Sequence, residues 1–284
     1  MTTADYAEWI GRTEIVHDEL AMSQLEAAAA TFDERQLTHN GAHSIPTLWH
    51  WFYFLPKAPQ SQLSPDGHPE RGTFMPPVPL PRRMFAGSRV VVHAPLRPGV
   101  PATREGVIRD VRVKDGRSGR LAFVTVGYRI RQDGQLCVEE EQDIVYREPG
   151  APVPAPSVTD LAPAAPNAWT EDITPDSRLL FRFSALTFNA HRIHYDRDYA
   201  TREEGYPGLV VHGPLNAMLL ANLVRRHTDR AITAFSFRGI APVFDLAPFR
   251  LVATPAGDQV VCEAIAPDGT VALQATARLG SPPL

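Results

Sequence analysis

A chain of 284 residues that is 44% hydrophobic and 21% charged holds apolar material for one large or two ordinary domains, which excludes a disordered or fibrous protein. Its 28 basic and 32 acidic side chains leave a formal net charge of -4, so no general field draws it to nucleic acid or to an anionic membrane. A small anionic ligand remains compatible with local arginines.

The first residues, MTTADYAEWIGRTE, carry acids and no apolar core segment. No later stretch approaches the ~18 uninterrupted apolar residues of a membrane span, so the expected setting is cytoplasmic. Glu19 to Phe32 (ELAMSQLEAAAATF) combines strong helix formers with apolar residues at Leu20, Met22, Leu25, Ala29 and Phe32, and predicts a helix packed on a sheet. Pro46 to Pro56 (PTLWHWFYFLP) has no clean period and reads as core or subunit contact ahead of an acyl-binding wall. Leu121 to Arg131 alternates apolar and polar residues, turns at Gln132-Asp133-Gly134, and returns through Leu136 to Tyr146. Two cysteines, Cys137 and Cys262, each sit inside a β-like run and fit buried thiols in a reducing compartment.

Residues 148–168 (EPGAPVPAPSVTDLAPAAPNA) contain six prolines, which remove backbone donors and favour extended chain outside sheets. This is the predicted joint between domains at 1–148 and 169–284. Beyond it, Pro214 to His227 (PLNAMLLANLVRRH) starts with proline at a plausible first helical position. Leu215, Met218, Leu219 and Leu223 form an apolar stripe interrupted by Asn222, and Arg225, Arg226 and His227 suit the negative end of the helix. Val260 to Ala266 and Val271 to Leu279 repeat the earlier hairpin plan around Pro267-Asp268-Gly269. One apolar helix with four or five alternating strands in each half predicts an α+β protein built from two similar units, each a sheet wrapped around a helix.

Chemistry concentrates at Asn189 to Asp196 (NAHRIHYD) and at Tyr206 to Pro214 (YPGLVVHGP). A metal site would draw on His191, His194, Asp196 and His212, but the spacing lacks the paired i, i+4 histidines of a helical zinc motif and no cysteine stands nearby. A general acid and base acting on a small carbonyl compound would use His194, whose ordinary pKa lies near neutrality. The apolar run ending at His212-Gly213 supplies the complement: free N–H groups where a helix begins would polarise a thioester carbonyl, and since Pro214 has no N–H, Gly213 is the donor. The bland alternative is that these histidines cap turns. Three of the ten histidines gathered beside a helix start favour chemistry.

FNAHRIHYDRDYA followed by GYPGLVVHGPL resembles the signature of the (R)-specific enoyl-CoA hydratases and MaoC-like dehydratases, D-x-N-P-L-H-x-D with a later apolar run ending in His-Gly. Together with RRMFAGSRV in the first half, it is similar to the mesaconyl-C4-CoA and itaconyl-CoA hydratase branch, which is related to mitochondrial 3-hydroxyacyl-thioester dehydratase. The resemblance covers most of the chain and is specific over Phe188 to Pro214. It implies a double hotdog fold and a hydro-lyase that forms citramalyl-CoA from a short branched dicarboxylic enoyl-CoA, without metal or redox cofactor. It implies that His194 is the catalytic histidine, Asp196 its following and mainly structural aspartate, and Gly213 the donor to the thioester oxygen. Asn189 stands where most hydratases carry an aspartate, and an amide can orient water but cannot take its proton. Either His194 performs the transfers with Asn189 positioning water, or another acid such as Asp196 enters the site.

Further candidates for CoA phosphates or a substrate carboxylate are Arg82, Arg83, Arg238 and Arg250, with Tyr195, Tyr206 and Val211 as pocket lining, each also open to an ordinary surface or packing role. Hotdog proteins commonly pair, so a homodimer is expected. A fatty-acid 3-hydroxyacyl-thioester dehydratase, a hotdog thioesterase and a non-catalytic acyl-CoA binding protein remain the alternatives.

Overall fold

A computed structural model describes residues 2–34, 38–39, 42–116 and 119–280, with 38–39, 42–43 and 116 as backbone only. Met1 and 281–284, the outer ends of the expected domains, lie outside these residues. Contacts divide the chain into Met1–Gly150 with Leu186–Ala190, and Ala151–Ala185 with His191–Leu284. The proline-rich segment 151–168 thus goes with the second unit, and five residues after it in the chain go with the first.

In the first unit, a 3-10 helix at Thr3–Trp9 precedes β1 (Thr13–Asp18) and α1 (Met22–Thr31), followed by the two-residue strands β2 (Thr38–His39) and β3 (Ala42–His43). A 3-10 turn at Trp49–Phe52 leads toward β4 (Arg82–Val92), β5 (Ala102–Gly116), β6 (Gly119–Gln132) and β7 (Gln135–Arg147). The sheet runs β1-β5-β6-β7-β4, every pair antiparallel. The expected hairpin is β6–β7: Gln132 pairs with Gln135, and Asp133 and Gly134 both have positive φ, the backbone that a two-residue turn of matching twist requires. Ile108, Val111, Val124, Val126, Ile144 and Tyr146 form the apolar centre on which Tyr6, Trp9, Val78 and Leu80 close.

The first helix is shorter than Glu19–Phe32 suggested. Asp18 accepts a hydrogen bond from the Leu20 N–H at 2.9 Å, and Leu20 has φ +45, so the chain is still turning when Ala21 is reached. Only ten helical residues follow, with Asp33 in the left-handed region just past the C-cap. Phe32 meets Trp49 and Phe52 at ring-centroid distances of 5.5 and 6.1 Å, so the aromatic stretch 46–56 is packing core for α1. Gln24 Nε2 donates to the carbonyls of Phe52 and Leu186, which ties the segment Leu186–Ala190 to this unit.

Glu140 on β7 is a buried charge of the first unit. Its carboxylate accepts from His50 Nε2 at 2.9 Å, Trp51 Nε1 at 3.0 Å, Ser88 Oγ at 2.7 Å and Gln142 Nε2 at 2.9 Å. Its neighbours Glu139 and Glu141 point the other way, to Arg129 and His93 and to Arg89, as strand alternation dictates.

In the second unit, residues 151–168 form neither helix nor strand and are held by bonds such as Val153 N–H to Gly205 O and Thr159 N–H to Pro267 O. They lead into β8 (Trp169–Ile173) and α2 (Ser177–Leu186), a helix absent from the sequence reading. Asp176 starts it by accepting the Leu179 N–H at 2.9 Å. Then come α3 (Gly213–His227), β9 (Ile232–Gly239), β10 (Phe249–Ala256), β11 (Gln259–Ile265) and β12 (Val271–Leu279). The antiparallel sheet runs β9-β12-β11-β10-β8. α3 lies on it with every side chain from Leu215 to Val224 buried, a position the polar Asn216 and Asn222 share. Its Pro214 sits in the first turn, as expected.

Numbered within its own unit, each sheet has the strand order 1-3-4-5-2, and α1 and α3 each follow the first of those strands. The pseudo-repeat inferred from two Asp-Gly hairpins is therefore a repeat of topology. Cys137 and Cys262 are both free and buried, and burial pushes the Cys262 thiol up to about 12. Among the described residues, no helix is long and apolar enough to cross a membrane.

Candidate active site

Two short segments of the second unit build the site. Arg192–His194 forms a single 3-10 turn, and Val210 reaches it by donating its N–H to the Ile193 carbonyl at 3.0 Å. Val211 N–H donates to Val243 O at 2.8 Å, while Leu209 N–H donates to the Asp245 carboxylate at 2.9 Å. The strand-like run before α3 is thus pinned on both sides, which fixes where the helix begins. Val211 itself is buried, so it is a wall rather than a polar contact.

His194 Nδ1 lies 2.7 Å from the Val210 carbonyl oxygen. A carbonyl only accepts, so Nδ1 carries the hydrogen, and in the neutral ring Nε2 carries the lone pair. The ring is stacked on His212 with centroids 3.6 Å apart and planes 19° apart, and meets His191 edge-on at 5.3 Å. All three histidines are buried. His212 Nε2 is 2.9 Å from Ser184 Oγ on α2. Burial first, then the neighbouring His194 and His191, hold the His212 pKa well below the ordinary histidine value, so this ring is neutral at physiological pH.

Gly213 is the first residue of α3 and is half-buried, next to Pro214. Its N–H precedes the first intrahelical acceptor, and the positive end of a fifteen-residue helix dipole adds to it. An imidazole whose Nδ1–H is fixed by a backbone carbonyl, and a helix start with a free N–H, therefore belong to the same short stretch. That combination suits proton transfer coupled to enolate formation.

Several other sequence candidates have different duties. Asp196 accepts from Tyr199 N–H and from Arg192 Nε and Nη2, and these bonds hold its carboxyl below the usual range. It braces the chain just before the π-type turn Tyr199–Glu203. Arg250 is engaged by Asp172 through two bonds of 2.7 and 3.1 Å, which tie β10 to the edge strand β8. Arg238 is exposed on β9, opposite Gln274. Tyr206 packs its ring on Phe244 at 5.9 Å, and Tyr195 is 48% exposed. Arg82, buried on β4 opposite Arg147, and Arg83, opposite Tyr146, belong to the first unit. Asn189 also groups with the first unit, in the segment that Gln24 anchors.

Ser184 is the functional candidate that sequence reasoning missed. Its signal was Pro175-Asp176-Ser177, an N-cap followed by apolar residues at Leu180, Phe183 and Leu186. Seen as a helix, that segment puts Ser184 on the buried side beside Phe183.

The chain matches the family model described as hydroxyacyl-thioester dehydratase type 2 over residues 48–245. It is 64% identical over 280 residues to a mesaconyl-C(4)-CoA hydratase of Chloroflexus aurantiacus, covering 99% of this chain and 100% of that protein. A solved MaoC-like dehydratase shares its fold with a TM-score of 0.72 at 14% identity, covering 96% of this chain and 98% of that one. A conserved hypothetical protein of Mycobacterium tuberculosis, described as having a double hotdog fold, aligns at a TM-score of 0.56 and 11% identity over 99% and 98% of the two chains. Both structures bear out the expected α+β double hotdog.

Proposed function

Since the chain belongs to the hydroxyacyl-thioester dehydratase type 2 family, we propose that it is a hydro-lyase adding water to the double bond of mesaconyl-C4-CoA, with citramalyl-CoA as product. The near full-length 64% identity to a hydratase of that substrate carries the reading. The arrangement of His194 supports it chemically.

In this mechanism the neutral His194 Nε2 takes a proton from water as the water oxygen bonds to the β-carbon of the enoyl group. Electrons of the double bond move onto the thioester oxygen, and the Gly213 N–H with the α3 dipole stabilises that enolate. The imidazolium then returns its proton to the α-carbon, so water is added and His194 is neutral again. No electron leaves or enters, so the reaction calls for no redox cofactor, and the thioester itself supplies the electron sink. Asn189 enters on the sequence pattern alone, as a group that orients water through its amide oxygen. A homodimer in the cytoplasm completes the reading.

The test is incubation with mesaconyl-C4-CoA, itaconyl-CoA and crotonyl-CoA, followed by mass measurement. Gain of one water on mesaconyl-C4-CoA is the expected result. Free CoA without a hydroxyacyl product would identify a thioesterase instead, and gain of water on crotonyl-CoA but not on the dicarboxylic ester would move the enzyme to fatty-acid chemistry. Asn189→Asp is expected to hold the hydration rate within a few-fold or raise it, because a carboxylate imitates a water-orienting amide oxygen and adds a base. A loss of about 100-fold in stopped-flow hydration would show that the amide hydrogens are needed.

A further inference from the structure

The Nδ1–H bond to the Val210 carbonyl fixes one atom of the His194 ring. The flat face of His212, 3.6 Å away and nearly parallel, lies against the ring and sets its plane. His212 is itself 1% exposed and lies beside Phe183 on another side at 4.8 Å. Its Nε2 meets Ser184 Oγ, while its Nδ1 is buried with no hydrogen-bond partner. We propose that His212 and Ser184 form a positioning pair behind His194, in which Ser184 fixes the His212 ring and that ring holds the His194 imidazole in the plane where its Nε2 acts as base. The proposal rests on the reading of His194 as the proton-transferring group.

The tautomer follows from burial. An orphaned N–H in the interior is rarer and costlier than an orphaned lone pair, so the His212 hydrogen sits on Nε2 and is donated to Ser184 Oγ, leaving Nδ1 as the bare acceptor. Ser184 and Phe183 from α2, His194 from the 3-10 turn and its N-cap residue His191 act on the ring, and none of these four is an acid that would favour a charged His212. Neutrality matters for the chemistry. When His194 takes the proton of water it becomes a cation, and a neutral stacked imidazole tolerates that charge where a second cation would repel it. Asn216, one turn into α3, donates its backbone N–H to the His212 carbonyl at 3.1 Å and so fixes the main chain beneath the pair.

A structural role and a positioning role separate in the full chain labelled with 15N-histidine. In the unaltered protein, imidazole 15N–1H correlations are expected to show His194 as a single Nδ1–H tautomer and His212 as Nε2–H, neutral at and below the ordinary histidine value of 6.5. His212→Ala is expected to replace the single His194 state by exchanging tautomers and to lower kcat about 10-fold with KM nearly unchanged. His212→Phe, which restores a flat face without a nitrogen, is expected to regain most of kcat and the single tautomer. Ser184→Ala should fall between them. The pair is refuted if folded His212→Ala keeps one His194 tautomer and a kcat within about two-fold, or if His212→Phe melts like the parent yet is no better than His212→Ala. Because the tautomer is read without substrate, failure of every enoyl-CoA ester to gain water would overturn the hydratase reading and leave this arm to decide on the ring arrangement.

Discussion

His194→Ala is expected to lower turnover on mesaconyl-C4-CoA by about 100-fold or more, the usual scale for losing a positioned acid-base group, while the protein stays folded. The imidazole serves both half-reactions, so its loss leaves no group to receive the proton of water or to return it to carbon. The stability cost is smaller. Removing the ring leaves the Val210 carbonyl without its 2.7 Å donor and opens a gap beside His212, worth about 1–3 kcal/mol. His194→Gln separates the two effects, since an amide N–H can donate to Val210 but cannot carry a proton. It is expected to be as slow as His194→Ala and to melt closer to the parent. Single-turnover hydration and thermal melts measure both, and turnover within a few-fold of the parent in either variant would remove His194 from the mechanism.

Glu140→Ala carries the largest expected loss of stability, about 3–5 kcal/mol in the first unit, because it strips the acceptor from four buried or part-buried donors at once. Burial alone would push the Glu140 carboxyl up, yet the bond to His50, the His50 charge, Ser88 and Gln142 together hold it below its ordinary value. The sign of the pH dependence follows. A carboxyl with a depressed folded pKa contributes stability that is fully present above the unfolded value, near 4.5, and is lost as pH falls through the folded value. Urea unfolding followed by tryptophan fluorescence, which reports on Trp51 among others, should show a lower midpoint for Glu140→Ala at pH 7. The difference from the parent should shrink as the pH is taken below 4.5. A loss under about 1 kcal/mol at pH 7 would show that water satisfies the donors as well as the carboxylate does.

Local chemistry was legible from residue order. Gln132-Asp133-Gly134 and Pro267-Asp268-Gly269 announced hairpins because only a few residues accept positive φ cheaply, and Gly134 and Gly269 both adopt it. Pro214 announced the start of α3 to within one residue, since proline fits where a helical N–H has no partner. The cluster from His191 to Gly213 was visible because its parts lie within one short span of chain. Glu19 misled by one turn, because helix propensity does not register that Asp18 would capture the Leu20 N–H and delay the helix.

By itself, then, the sequence determined the two α+β units, their hairpins, the main helix and the histidines beside its start, all set by turn chemistry and periodicity over neighbouring residues. Only the tertiary structure decided the rest. Glu140 lies in the strand expected from Leu136 to Tyr146, but only the packing of other segments surrounds it with donors from residues 50, 51, 88 and 142. The pairing of Arg250 with Asp172 depends on β8 lying alongside β10, and the contact of His212 with Ser184 depends on where α2 packs. Each of these depends on which partner a distant segment carries to a buried place, and no pattern within a single segment encodes that arrival.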